Sequence, residues 1–224
     1  GPFKEDIARG ILLLRVNSLS NGFSGICLET VETMIAMLNK GVTPFIPEKG
    51  SLGASGDLAP LSHMVLPMIG LGMAWYKGEL LPGAEAMERA GIPVIELSAK
   101  EGLALNNGTQ AMTSVGAHAL HDAITLLKTA DIAAALSFEA QNGVVDALDA
   151  RVHQVRPHAG QMATARNLLK LLEGSKTPAA RERSVYRTLI PCAAVRRSTE
   201  PARTRSTMWA AVWTSRSTPL RITR

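Results

Sequence analysis

Residues 50–63 read Gly-Ser-Leu-Gly-Ala-Ser-Gly-Asp-Leu-Ala-Pro-Leu-Ser-His, and they contain the triplet Ala54-Ser55-Gly56. The stretch has neither a helical nor a strand period, so it predicts an irregular loop. Because Gly56 has no Cβ, its nitrogen can approach the carbonyl of Ala54 along a path that other residues would block. Ring closure with loss of water, and loss of a second water from Ser55, would leave a methylidene-imidazolone. That group is an electrophile made only of protein.

The alternative interpretation is an ordinary glycine-rich turn before a helix. Gly50, Gly53 and Gly56 suit such a turn, and Asp57 suits the N-cap of the helix that follows. An isolated Ala-Ser-Gly would favour this alternative. The full stretch and the further segments around it favour the electrophile.

The run over residues 50–63 resembles the signature of the aromatic amino acid ammonia-lyases, in which this triplet forms the methylidene-imidazolone. The family acts on histidine, phenylalanine or tyrosine. The resemblance extends over residues 3–175 and implies an all-α fold, here a fragment of a large helical-bundle lyase with an irregular loop that bears the electrophile. It also implies a homotetramer, because active sites in the family draw on several subunits.

Two further segments support the resemblance. Residues 15–25 look like a family segment near the active site, although its individual residues suit a cap and turn. Residues 100–110 resemble a second family motif, in which the asparagine before Gly-Thr contacts the electrophile and the carboxylate region of the substrate. That role maps to Asn107, for which a simple helix C-cap is the alternative.

The resemblance implies elimination of ammonia from an aromatic amino acid. No standard side chain is an electron sink, so the reaction needs an electrophile, here the group made from Ala54-Ser55-Gly56, and no external cofactor. A general base removes the β-proton, and in the family it is a tyrosine that precedes the region present here. The form of residues 100–110 looks more like the histidine enzymes, which predicts conversion of L-histidine to urocanate.

Three alternatives stay open at this point. One is a phenylalanine or tyrosine ammonia-lyase, or an aminomutase that shares the electrophile. Another is an inactive fragment. The third is a helical binding module that uses a basic tail to bind nucleic acid.

Composition favours close-packed helices, with 46% hydrophobic and only 4% aromatic residues. We find no stretch long enough to span a membrane and no signal peptide, and the two cysteines, Cys27 and Cys192, have no metal-site spacing. His118 and His121 lie three apart with no third ligand in view, so no metal is expected. These features predict a cytoplasmic protein that binds no membrane.

The net charge of +5 belongs to one end of the chain. Residues 181–224 hold ten arginines and two glutamates, a net charge of +8, so residues 1–180 carry a net charge of −3. A mildly acidic body is typical of a metabolic enzyme and argues against a nucleic-acid partner.

The pattern of apolar residues and breakers predicts most of the helices. They are expected over residues 5–16, 26–39, 57–76, 99–106, 109–139 and 158–173, with a connecting excursion over 77–98. The helix over 109–139 carries one apolar stripe for packing in a bundle, formed by Gly116, Leu120, Ala123, Leu127, Ala130 and Ala134.

The family pattern ends near Arg183, and neither end of the chain looks complete. Codons for residues 184–194 can be chosen that read Arg-Val-Gln-Asp-Ala-Tyr-Ser-Leu-Arg-Cys in another frame. In the same frame, residues 216–224 with the last base of the Ser215 codon give Glu-Ile-Asn-Ser-Val-Thr-Asp-Asn-Pro. Both are family motifs. We therefore predict a partial catalytic domain over 1–183 and a frame-shifted, disordered basic tail over 184–224, and we expect this chain alone to be inactive.

Overall fold

The computed structural model describes residues 1–53 and 55–176. The chain divides into two compact units, Gly1–His118 and Ala119–Arg224. Ala54 of the triplet lies outside the described residues. The tail predicted over 184–224 also lies outside them, together with Cys192 and the tail's tryptophans.

Helices dominate the first unit. They are α1 (Glu5–Leu19), α2 (Leu28–Lys40), α3 (Leu58–Val65), α4 (Gly83–Arg89), α5 (Glu101–Asn106) and the beginning of α6 (Gln110–Ala140). A small antiparallel sheet, which the sequence did not predict, accompanies them. It consists of β1 (Thr43–Pro44), β2 (Met73–Tyr76) and β3 (Glu79–Pro82) in the order β1-β2-β3, with Thr43 opposite Trp75 and Tyr76 opposite Glu79.

One apolar core holds the first unit together. Fully buried side chains come from α1, α2, α3 and α5, among them Ile11, Leu12, Met34, Met37, Leu61, Met64 and Leu105. Burying a side chain of this size stabilises the folded state by about 1.5–3 kcal/mol relative to leaving it in water. The core therefore fixes α1, α3 and α5, which are the helices that flank the triplet and Asn107.

The helix expected over residues 57–76 is wrong in its second half. α3 ends at Val65, a 3-10 turn covers Leu66–Ile69, and Gly70 stops it in a left-handed conformation with φ of 77°. The chain then enters β2, and a two-residue turn with positive φ at Lys77 and Gly78 returns it as β3. Such a turn matches the twist of antiparallel strands. The excursion expected over 77–98 therefore contains β3 and α4.

The other predicted helices in the described residues are confirmed, with boundaries shifted by one to three residues. α2 ends where the sequence predicted, because Gly41 adopts a left-handed conformation with φ of 77°. The helical fold class is confirmed. Among the described residues, α7 (Ala150–Gln154) was not predicted.

The second unit contains the rest of α6, a 3-10 turn over Val145–Leu148, α7 and α8 (Ala159–Leu171). Its apolar cluster is formed by Ala134, Ala135, Phe138, Leu148, Ala165, Leu168 and Leu172. Of the predicted stripe on α6 only Ala134 is buried, while Gly116 and Ala123 are exposed. The beginning of α6 contacts α1 through other residues, among them Ser114, which donates to the carbonyl of Ile7. The remaining members of the stripe are exposed or half-buried, so their packing in a larger bundle stays a prediction. No described helix, α6 included, is long and apolar enough to cross a bilayer.

Candidate active site

The loop over residues 50–56 depends on glycine. Gly50, Gly53 and Gly56 have φ of 123°, 71° and 112°, which side chains with a Cβ rarely adopt. Ser55 lies between two of them and is exposed to solvent. The described residues of the loop thus have backbone conformations that glycine permits, while the predicted approach of the Gly56 nitrogen to the carbonyl of Ala54 stays a prediction.

Gly56 packs directly against the turn that contains Asn107. A Cβ at Gly56 would lie 2.8 Å from the carbonyl oxygen of Gly108 and 3.2 Å from Oδ1 of Asn107. The amide of the next residue, Asp57, donates to the same Gly108 oxygen at 2.7 Å. The fold therefore brings together two segments that are about fifty residues apart, and with them Gly56 of the triplet and Asn107.

Asp57 fixes this arrangement with its side chain as well. Its carboxylate is buried, and Oδ2 accepts a hydrogen bond from the amide of Met112 at 2.8 Å. Met112 lies in the first turn of α6, where backbone N–H groups have no partner within the helix. Ser51 donates to the other oxygen at 3.2 Å. Asp57 precedes α3, as expected, but its carboxylate makes no cap hydrogen bond there and caps α6 instead.

Asn107 takes the C-cap position of α5, in an extended conformation with φ of −104° and ψ of 107°. Its side chain is exposed, and its Oδ1 faces Gly56. The next residue must be glycine for a steric reason, because a Cβ at Gly108 would overlap the guanidinium of Arg15 and the side-chain amide of Gln110. Asn107 thus combines the cap position with a place beside the triplet.

Arg15 reaches this turn from α1. Its guanidinium is buried and donates to the carbonyl of Ala104 and, at 3.0 Å, to Oε1 of Gln110. Desolvation lowers the pKa of Arg15 below its ordinary value. The sequence indicated the segment that begins with Arg15 but no role for the residue itself.

Glu101 orders the other side of α5. Its buried carboxylate accepts hydrogen bonds from the amides of Cys27 and Ser98 at 3.0 and 2.7 Å, and from the hydroxyl of Thr30 at 2.7 Å. Burial acts to raise the pKa of Glu101, but these donors outweigh it, so the pKa lies below its ordinary value. Glu101 thereby ties the beginning of α2 to the helix that ends at Asn107.

The described residues of this loop fit a methylidene-imidazolone. Gly56 has the positive φ that a folded-back loop needs, and its Cα rests against Gly108 with no room for a side chain. Two hydrogen bonds of Asp57 hold the loop in that place. The group would be made from Ala54, Ser55 and Gly56 themselves, with Asn107 beside it.

The histidine pair on α6, His118 and His121, lies away from the triplet loop in the sequence, and its residue type could serve as a metal ligand. His118 contacts the carbonyl of Ser114 through Nδ1 at 2.9 Å and lies 4.0 Å from the carboxylate of Asp6. Within residues 1–53 and 55–176, no group of three or more His, Cys, Asp or Glu side chains is placed to hold a metal ion.

The chain resembles known lyases over most of its length. The family model for aromatic amino acid lyases matches residues 1–195. Histidine ammonia-lyase of Clostridium tetani is 66% identical over 176 residues, which cover 78% of this chain and 34% of that protein. Histidine ammonia-lyase of Streptococcus pyogenes serotype M1 is 61% identical over 175 residues, with the same two coverages.

Solved structures agree with these sequences. Phenylalanine ammonia-lyase from Rhodosporidium toruloides is similar with a TM-score of 0.84 at 32% identity, covering 94% of this chain and 33% of that one. Histidine ammonia-lyase from Trypanosoma cruzi is similar with a TM-score of 0.70 at 42% identity, covering 75% and 33%. The chain spans about a third of the length of the curated relatives that it matches. It belongs to the aromatic amino acid lyase family.

Proposed function

We propose that the protein is an ammonia-lyase that converts L-histidine to urocanate and ammonia. The observation that carries the proposal is the contact between Gly56 and the turn formed by Asn107 and Gly108. The contact supports a site in which the triplet, as the proposed electrophile, lies beside the Asn107 amide, as the proposed substrate-binding group. The choice of histidine is supported by relatives called histidine ammonia-lyase that are 60–66% identical to this chain.

The electrophile would form from the chain itself in two dehydrations. The nitrogen of Gly56 attacks the carbonyl carbon of Ala54 and a C–N bond forms. The carbonyl oxygen leaves as water with the amide hydrogens of Gly56 and Ser55, and a C=N bond forms between that carbon and the Ser55 nitrogen. Ser55 then loses its α-proton and its hydroxyl as a second water, which leaves a methylidene carbon. Once formed, the group supplies an electron-poor carbon that accepts the substrate and makes its amine a better leaving group.

The chain's own residues contribute position and recognition. Gly56 and Asp57 lie against Gly108, and ring closure would be favoured wherever this packing holds the reacting atoms close together. The Asn107 amide offers a donor beside the triplet, suited to the carboxylate of an amino acid.

A phenylalanine or tyrosine substrate is the second candidate. Solved relatives include a phenylalanine aminomutase of Pantoea agglomerans at 39% identity over 80% of this chain. Its identity is well below the 60–66% of the curated histidine ammonia-lyases, so histidine is favoured. No described feature of the body favours the nucleic-acid-binding alternative.

The test is a product assay on protein expressed from the gene with its reading frame after Arg183 restored. With L-histidine we expect an ultraviolet spectrum of urocanate, and with L-phenylalanine and L-tyrosine we expect no cinnamate or coumarate. The Ser55→Ala variant is the control, since it has no hydroxyl to lose and should be inactive. Cinnamate or coumarate as the main product would overturn the substrate, and full activity of Ser55→Ala would overturn the mechanism.

Three further predictions belong to the whole protein. We infer a homotetramer, for which the test is the mass in solution by sedimentation, and a cytoplasmic location, for which the test is cell fractionation.

We also infer that residues 184–224 are translated in a shifted frame. Resequencing the coding DNA across residues 176–190 tests this, because one extra or missing base must be found there.

A further inference from the structure

Packing of the apolar core does not by itself explain why residue 15 is an arginine. It lies on the buried face of α1 with 4% of its surface exposed, and its Nε has no hydrogen-bond partner among the described residues. Both of its hydrogen-bond acceptors in the described part of the chain are neutral. A buried cation without a carboxylate is costly, and an apolar side chain would fill the same space at a lower cost.

The two acceptors of Arg15 bracket Asn107 in the sequence. Ala104, three residues before Asn107, offers a carbonyl from the last turn of α5. Gln110, three residues after it, is the first residue of α6 and offers its side-chain oxygen. The same guanidinium lies against the Cα of Gly108, where it would overlap a Cβ. One planar group thus contacts both ends and the middle of the turn.

The chemistry of arginine suits this task. The last carbonyls of a helix have no partner within the helix, and a cation stabilises that end of the helix dipole. A guanidinium directs several N–H groups in a fixed plane, so it can hold two acceptors at a set distance from each other. A lysine ammonium is a point charge on a flexible stem and does not impose that spacing.

We propose that Arg15 is a positioning residue that holds the turn of Asn107 and Gly108 against Gly56. It acts through the Ala104 carbonyl and the Gln110 side chain, and through them it fixes both the Asn107 amide and the surface on which the triplet closes. The inference rests on the proposed function, since it assigns Arg15 to that site.

The test compares three variants with the wild type in the 224-residue chain. Arg15→Met keeps an unbranched apolar stem and removes the donors, whereas Arg15→Lys keeps the charge. The matched control is Arg9→Met, because Arg9 lies on the same helix and donates to a backbone carbonyl, that of Leu38, away from the turn. The readouts are amide hydrogen exchange over residues 105–113 and the mass of the tryptic peptide 50–77, which records the two dehydrations.

We expect exchange over residues 105–113 to be roughly tenfold faster in Arg15→Met, in line with the loss of a hydrogen bond to a charged group. α2 should exchange as in the wild type. Arg15→Lys should restore part of the protection, and Arg9→Met should match the wild type. The dehydrated fraction of peptide 50–77 should fall in the order wild type, Arg15→Lys, Arg15→Met.

Unchanged exchange at the turn in Arg15→Met would overturn the proposal. Exchange that is faster to the same extent in α2 would also overturn it, because Arg15 would then serve general stability. If Arg15→Met does not fold, Gln110→Ala removes one acceptor at a half-buried position and should give the same local effect at smaller size. A wild-type peptide that keeps both waters would contradict the proposed function, and the exchange comparison alone would then decide the role of Arg15.

Discussion

The Asp57 carboxylate accepts a hydrogen bond from the amide of Met112 at 2.8 Å, so the residue after the triplet caps the helix that follows Asn107. The Asp57 amide donates at 2.7 Å to the carbonyl of Gly108, on the same turn. One residue therefore joins the two halves of the candidate site with both its backbone and its side chain. These two hydrogen bonds tie the position of Asp57 to the beginning of α6.

Replacing Asp57 with alanine should destabilise the first unit. The change leaves the amide of Met112 without its acceptor, and loss of a hydrogen bond to a buried charged group costs about 1.5–3 kcal/mol. Urea denaturation followed by circular dichroism measures the free energy of unfolding. The control is Asp122→Ala, which removes an exposed carboxylate from α6. Equal stability of the two variants would show that the cap contributes nothing.

Replacing Gly56 with alanine should impair dehydration of the triplet. A Cβ at Gly56 would meet the Gly108 oxygen at 2.8 Å, and the φ of 112° is strained for alanine. Strain of this kind costs about 1–3 kcal/mol. Gly22→Ala is the matched control, because Gly22 also has a positive φ but nothing within 4 Å of a Cβ. We expect the mass of peptide 50–77 to show less dehydration in Gly56→Ala than in Gly22→Ala, and the reverse order would contradict this account of the loop.

Glu101 should make stability depend on pH. Its pKa is lower in the folded state than its ordinary value of 4.5. Its contribution is therefore complete above that value and is lost as the pH falls through the folded-state pKa. The Glu101→Gln variant should be less stable than the wild type at neutral pH, and the difference should narrow as the pH falls below about 4. Thermal denaturation of both proteins across this pH range measures the difference in stability. A difference that stays constant with pH would contradict the role given to the Glu101 carboxylate.

Two glycine-to-alanine changes should have opposite effects on stability. Gly78 has φ of 82° in the turn between β2 and β3, so alanine there should destabilise the protein by about 1–2 kcal/mol. Gly116 lies within α6 and has nothing within 4 Å of a Cβ, so alanine should stabilise the protein by about 0.5–1 kcal/mol. Urea denaturation of both variants measures the two changes in the free energy of unfolding. Changes of the same sign would contradict the conformation described for Gly78 or for Gly116.

Signals within short stretches of sequence predicted much of the fold. Gly41 predicted the end of α2, and the period of the apolar residues predicted α6. Both signals act over a few neighbouring residues. The spacing of Gly50, Gly53 and Gly56 indicated an irregular loop for the same reason, and all three have positive φ. The family resemblance added Asn107, which no local rule distinguishes from a helix cap.

The rest depends on contacts between distant parts of the chain. The hairpin of β2 and β3 was not predicted, because residues 64–76 are mostly apolar and suggested that the helix continues. In the structure Gly70 and Gly72 have positive φ and end the helical segment. Asp57 resembles a local N-cap, and only the fold shows that its carboxylate reaches Met112. The packing of the stripe on α6 stays a prediction, because a period shows which residues share a face but not which partner covers it.

The most direct test of the central claim is the mass of the tryptic peptide 50–77, which contains the whole triplet loop. We predict that the wild-type peptide is lighter than its sequence by two water molecules and that Ser55→Ala lacks the serine dehydration. A wild-type peptide with its full sequence mass, from a chain that is folded by circular dichroism, would contradict the claim that Ala54-Ser55-Gly56 forms the electrophile.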